Sequence, residues 1–122
     1  MKNELLIDLM PYRGNKSTSL TGRPQGKDVR TELKLDLIEK DYSGIRVMIP
    51  LGTTSFNPSF FLGLFYPSIK SLGDIDSFKT KFSFSFNENE SEILKEIISD
   101  NIDEALTYAQ NSLNDSKKGF RL

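Results

Sequence analysis

Gly44-Ile45-Arg46-Val47-Met48-Ile49-Pro50 leads into Leu51-Gly52-Thr53-Thr54-Ser55-Phe56-Asn57, and then into Pro58-Ser59-Phe60-Phe61-Leu62-Gly63-Leu64-Phe65. The first piece is rich in β-branched residues, with Ile45, Val47 and Ile49 on one face and Met48 opposite, and reads as a short strand. Asn57 can cap a helix by accepting a backbone N–H, and Pro58 suits the first helical position, where its missing donor is not needed. A strand that runs through a polar turn into a helix is half of a βαβ unit. The turn places Thr and Ser hydroxyls beside unpaired amides, an arrangement that binds an anion, accepts a phosphate or simply ends a strand.

The helix expected over 58–72 is unusually apolar. At about 100° per residue, Phe61, Leu64, Phe65, Ile69 and Leu72 form one face, and Phe60, Leu62 and Tyr66 widen it. Ser59, Gly63, Pro67 and Lys70 are left as the stripe suited to water, and Pro67 should kink the segment by removing a bond to the Gly63 carbonyl. So wide an apolar arc calls for burial on two sides or for a partner surface.

Residues 3–9 alternate as a strand, with Leu5, Ile7 and Leu9 on one face, and Pro11 stops it. Residues 12–22 read as a long polar loop. A helix is expected from Pro24 to about Lys34, with Gln25, Val29 and Leu33 at four-residue spacing and Gly26 permitting close packing. Residues 41–44 then turn the chain into the second strand. Residues 78–86, Phe-Lys-Thr-Lys-Phe-Ser-Phe-Ser-Phe, alternate throughout and predict a strand with one buried face, at a sheet edge or in a sheet open on one side. Asn87 and Glu90 have the spacing of a capping box before a last helix that points Leu94, Ile98, Ile102, Ala105, Leu106, Ala109 and Leu113 inward. The order strand, helix, strand, helix, strand, helix predicts one α/β domain over 1–113, followed by a polar tail over 114–122. Its centre should be a mixed sheet of about four strands, with three or four helices.

Composition narrows the function. The chain has 122 residues, 37 % hydrophobic and 27 % charged, which suits one soluble domain. It has no apolar run near the roughly 20 residues that cross a bilayer, and no signal-peptide pattern, so a cytoplasmic, non-membrane protein is expected. Without Cys or His, thiol nucleophiles, thiolate metal sites, serine-type triads and zinc hydrolases are excluded. The reading is non-catalytic, with no metal or cofactor. Net charge is −1, unevenly spread. Arg13, Lys16, Arg23, Lys27 and Arg30 face Asp28 alone between residues 10 and 30, whereas Glu88, Glu90, Glu92, Glu96, Asp100, Asp103 and Glu104 face Lys95 alone between 88 and 104. Five scattered cations at a pI of 5.5 do not make a nucleic-acid stripe. Two charged faces, solvated or partner-facing, are the expectation. Arg13, Arg23, Lys27 and Arg30 are the candidates for anion binding, with Gly22 and Gly26 letting backbone amides approach.

Thr21-Gly22-Arg23-Pro24-Gln25-Gly26, followed by Val29, Arg30, Glu32 and Leu33, and the later stretch from Ser55 to Phe65 together resemble the bacterial STAS-like domains of uncharacterised function. These are distant relatives of the domain shared by sulphate transporters and anti-sigma factor antagonists. The resemblance covers about residues 20–110. It implies a regulatory module whose partner is a histidine-kinase-like ATPase, or another chain of its own kind in a homo-oligomer. In the antagonists such an ATPase phosphorylates a serine at the start of the helix after the central strand. Ser59 matches that serine and Asn57 the Asp before it, although Asn replaces Asp, Pro58 a small residue, and Phe60-Phe61 a Gly-Leu pair.

Ser59 and Ser55 are therefore the candidate phospho-acceptors, and Phe56, Asn57, Phe60 and Tyr66 the candidate partner surface. The plainer reading makes Ser55, Asn57 and Ser59 turn and capping residues only. A ligand- or anion-sensing domain is the alternative function.

Overall fold

The computed structural model describes residues 2–119. In chain order the elements are β1 (Lys2–Asp8), α1 (Met10–Arg13), β2 (Ser19–Leu20), α2 (Arg23–Leu33), α3 (Leu35–Ile38), a single 3₁₀ turn (Glu39–Asp41), β3 (Tyr42–Ile49), β4 (Ser55–Phe56), α4 (Pro58–Leu72), α5 (Ile75–Lys81), β5 (Phe82–Phe86) and α6 (Glu92–Gly119). The α/β alternation stands. The expected mixed sheet of about four strands does not: there are two separate sheets, β1-β3-β5 and β2-β4, and every pairing is parallel. Each strand reaches its neighbour through a helical crossover, which makes neighbours run the same way. β2 and β4 hold two residues each, too few to register as periodicity. The helix count exceeds the expected three or four because α1, α3 and α5 are short.

Lys34, in the left-handed conformation at φ 55, separates α2 from α3, so the first helix ends about where the sequence indicated. The strand expected over 78–86 is a strand only from Phe82. Asp74 accepts a hydrogen bond from the Ser77 N–H at 2.7 Å and starts α5 instead. Phe78 and Phe82, four apart, stack at 4.5 Å between ring centroids, so helical spacing serves the same aromatic burial. The Asn87–Glu90 capping box does not form either. Asn87 accepts from the Asn89 N–H, and Ser91 caps α6 by accepting from the Leu94 N–H. α6 continues to Gly119, through most of the stretch read as a tail, whose last three residues lie outside the described ones.

One face of the three-stranded sheet carries the core. Ile7, Val47 and Phe84 share a row across it, as do Leu5, Ile45 and Phe82. Against this face α4 presents Phe61 and Phe65, both fully buried, and their rings lie 5.8 and 5.6 Å from Phe84. α4 packs in turn on α2 and α6. Gly63, expected to face water, is buried against α2, where a Cβ would collide with the Arg23 carbonyl oxygen; a Cβ on Gly26 would likewise meet the Phe60 carbonyl. Two glycines thus let the helix backbones touch, as Gly26 suggested from sequence. Among the described residues no helix is long and apolar enough to cross a membrane.

Candidate functional site

Among the described residues, the opposite face of the β1-β3-β5 sheet is exposed or half-buried. Its rows are Glu4 beside Gly44; Leu6, Arg46 and Ser83; then Asp8, Met48 and Ser85. Leu6, on the edge strand β1 beside Arg46 of the central strand, is 58 % exposed. Glu4 and Arg46 form a half-exposed ion pair at 3.4 Å across the two strands. Both open features foreseen for the strand ending at Phe86 occur together, since β5 is an edge strand and its sheet is open on one side.

The carboxyl ends of the strands are held by side chains from the segments that follow β1, β3 and β5. Arg13, on the turn after β1, donates to the Leu51 carbonyl at 2.9 Å and to Thr53 Oγ1 at 2.8 Å. Thr53 is fully buried, and its hydroxyl donates to the Pro50 carbonyl at 2.7 Å. From beyond β5, Glu90 accepts from the Gly52 N–H at 2.8 Å and from the Ser91 N–H at 3.1 Å. A cation and an anion therefore shape the 50–54 loop from opposite sides, satisfying groups left unpaired where β3 ends.

The loop delivers the chain to β4 and α4. Asn57 caps α4 as the sequence indicated, accepting from the Ser59 N–H at 2.8 Å. Ser59 is exposed, Ser55 half-buried. The aromatic partner surface is not there: Phe56 is fully buried and Phe60 2 % exposed, both inside the ring cluster, and Tyr66 is only part-exposed. Phe56 N–H donates to Asn101 Oδ1 on α6 at 2.9 Å, which closes this side of the turn. β4 pairing with β2 turns Phe56 toward the core, a pairing too short to read in advance.

Nor do the four candidate anion-binding cations converge. Arg13 is committed to the 50–54 loop. Arg30 is buried, and its guanidinium donates to the Leu64 carbonyl and Ser68 Oγ at 2.8 Å each, and to Asp36 Oδ1 at 2.8 Å through Nε. Glu39 lies 3.5 Å from the same guanidinium and accepts from Ser68 Oγ. This Arg30–Ser68–Glu39 cluster ties α2, the 3₁₀ turn and α4 together. It also supplies a donor to the turn of α4 that Pro67 weakens. Glu39 and Ser68 escaped the sequence reading, though a serine amid so apolar a helix was a signal. Arg23 and Lys27 remain exposed, with their backbones against Gly63. The two helices cross where Gly26 meets the Phe60 carbonyl and Gly63 the Arg23 carbonyl, and from there Arg30 reaches on to Leu64 and Ser68.

Among the described residues there is no group of three or more Asp and Glu placed to hold a metal ion. Tyr108 donates to Glu104 Oε1 at 3.1 Å, and this bond, with the nearby carboxylate charge, raises its phenol above the ordinary value of 10.0. No family model, curated protein or solved structure matches the chain.

Proposed function

We propose that the chain is a non-catalytic regulatory module that binds a protein partner on the outer face of its parallel sheet. A regulatory, partner-binding role is what the resemblance to STAS-like domains implies, and a histidine-kinase-like ATPase is the partner that resemblance names. The observation that carries the reading is the exposed face itself. Parallel sheets occur almost always with both faces covered, because crossover helices or partners hide them. Here Leu6 stands in water on the edge strand β1, flanked by Glu4 and Asp8, with Arg46 and Met48 on the central strand beside it. Exposed Leu6 and half-buried Met48 among charged side chains give this face the mixed apolar and polar character of a protein interface.

Ser59 is the point at which such a module would be switched. A phosphate there adds roughly −1.5 to −2 charges at the start of a 15-residue helix, where the dipole favours it. The first turn of α2, with exposed Arg23 and Lys27, packs on Gly63 one turn further along α4.

The interface is tested by titrating the chain with the ATPase encoded nearest to it and following binding by calorimetry. Leu6→Glu and Arg46→Glu change exposed residues and should leave stability within about 0.5 kcal/mol. Each should weaken binding at least about tenfold, or ~1.4 kcal/mol. Equal affinity for both variants would exclude the outer face. Phosphorylation has its own readout, namely mass spectrometry after incubation with the ATPase and ATP. An unmodified peptide covering 50–70 would remove the switch and leave the interface reading intact.

A further inference from the structure

At the carboxyl ends of β1, β3 and β5 lies a cavity of about 350 Å³, lined by Asp8, Met10, Met48, Ile49, Pro50, Leu51 and Asn87. Its position is the one where parallel α/β sheets hold ligands, in the crevice beyond the strand ends. Its volume falls at the small end of the usual range of ligand pockets, roughly 300–1,000 Å³. The wall is mostly apolar, and two thioether chains give it a polarisable, adaptable surface. The polar groups are few: one carboxylate and one amide. We propose that this cavity binds a small organic amine, its cationic nitrogen against Asp8 and its apolar body against Met10, Met48 and Leu51.

Charge decides between the chemical classes of occupant. One Asp8 oxygen accepts from the Met10 N–H at 2.9 Å, which fixes the carboxylate at the mouth and leaves lone pairs for a ligand donor. Among the described residues no cation lines the cavity: Arg46 pairs with Glu4, and Arg13 donates to the neutral Leu51 carbonyl and Thr53 Oγ1 outside the lining. An anion would thus meet Asp8 with no counter-charge from the lining. A neutral apolar molecule would strip water from the carboxylate without giving a donor in return. An ammonium group replaces the lost water with a charge-assisted hydrogen bond.

The site borders the proposed partner face, sharing Asp8 and Met48 with it, but it is tested on the chain alone. Two of the three methionines line the cavity, so isotope-labelled methionine methyl groups report occupancy directly by NMR. The probes are phenethylamine, phenethyl alcohol and phenylacetate, which share a body and differ in charge. The amine should shift the Met10 and Met48 signals saturably, with a Kd on the order of 1 mM as befits so small a ligand. The alcohol should bind at least about tenfold more weakly, and phenylacetate should give no saturable shift. Asp8→Asn keeps the oxygen that accepts from Met10, and it should bring the amine down to the level of the alcohol. Equal binding of amine and alcohol, saturable binding of phenylacetate, or no saturable shift with the amine overturns the proposal. So does amine affinity unchanged in a folded Asp8→Asn chain. The three-ligand comparison decides the matter even if that variant fails to fold.

Discussion

Replacing Arg30 by Met keeps the length of the side chain and removes its charge from a site only 6 % exposed. Two hydrogen bonds of 2.8 Å disappear, to the Leu64 carbonyl and to Ser68 Oγ, and Glu39 loses its counter-charge while itself 8 % exposed. The contact with Asp36 adds little to the loss, because that carboxylate is 76 % exposed and water replaces the guanidinium. Breaking a buried ion pair by removing one partner costs about 3–5 kcal/mol, since the other charge stays behind without compensation. That is a large part of the roughly 5–15 kcal/mol by which domains are stable. Urea unfolding followed by far-ultraviolet circular dichroism measures it, with an unchanged slope expected. The double variant Arg30→Met, Glu39→Met removes both charges and should recover at least about 1 kcal/mol relative to Arg30→Met alone. A loss below about 1 kcal/mol for the single variant would refute the reasoning. So would a double variant as damaging as the sum of the two single ones.

Three further outcomes are expected. Gly63→Ala places a methyl group against the Arg23 carbonyl where backbone meets backbone, and should destabilise by about 1–3 kcal/mol in thermal or urea unfolding; a neutral or stabilising change would mean α2 and α4 are not in contact there. Asn57→Ala removes the cap on the Ser59 N–H and should cost about 1 kcal/mol in the same assay, whereas Asn57→Asp should retain most of it. In an ultraviolet titration, Tyr108 should ionise above its ordinary range, and Glu104→Gln should lower its midpoint by removing the carboxylate that accepts its proton. Because this phenol holds its proton more tightly when folded, the coupled stability is present below pH 10.0 and fades as pH rises above it.

The parts of the fold that could be read in advance were those set by local chemistry. Asn57-Pro58 and the apolar arc behind them announced α4 to within its observed ends, and Gly26 announced a close helix contact. Alternation in β1 and β3 showed which side chains turn inward. The same alternation misled over Phe78, because aromatics at 78 and 82 satisfy both a two-residue and a four-residue repeat; only Asp74 as a cap could have separated them. The sites were less legible. Whether Arg30 meets an anion or Glu39 depends on how α2 crosses α4, and whether Phe56 faces a partner or the core depends on a two-residue strand pair. The cavity at the strand ends draws its lining from β1, β3 and the segment after β5, so no continuous stretch of sequence displays it.

The all-parallel pairing also shapes how this chain reaches its native state. Lys2 pairs with Tyr42 and Ile45 with Phe82, so neither strand contact can close as a hairpin. Each must wait for a full crossover to be synthesised and to collapse. During that interval the β1 side chains Leu5, Leu6 and Ile7 emerge from the ribosome with no strand to meet, a time when chaperone capture competes with self-association.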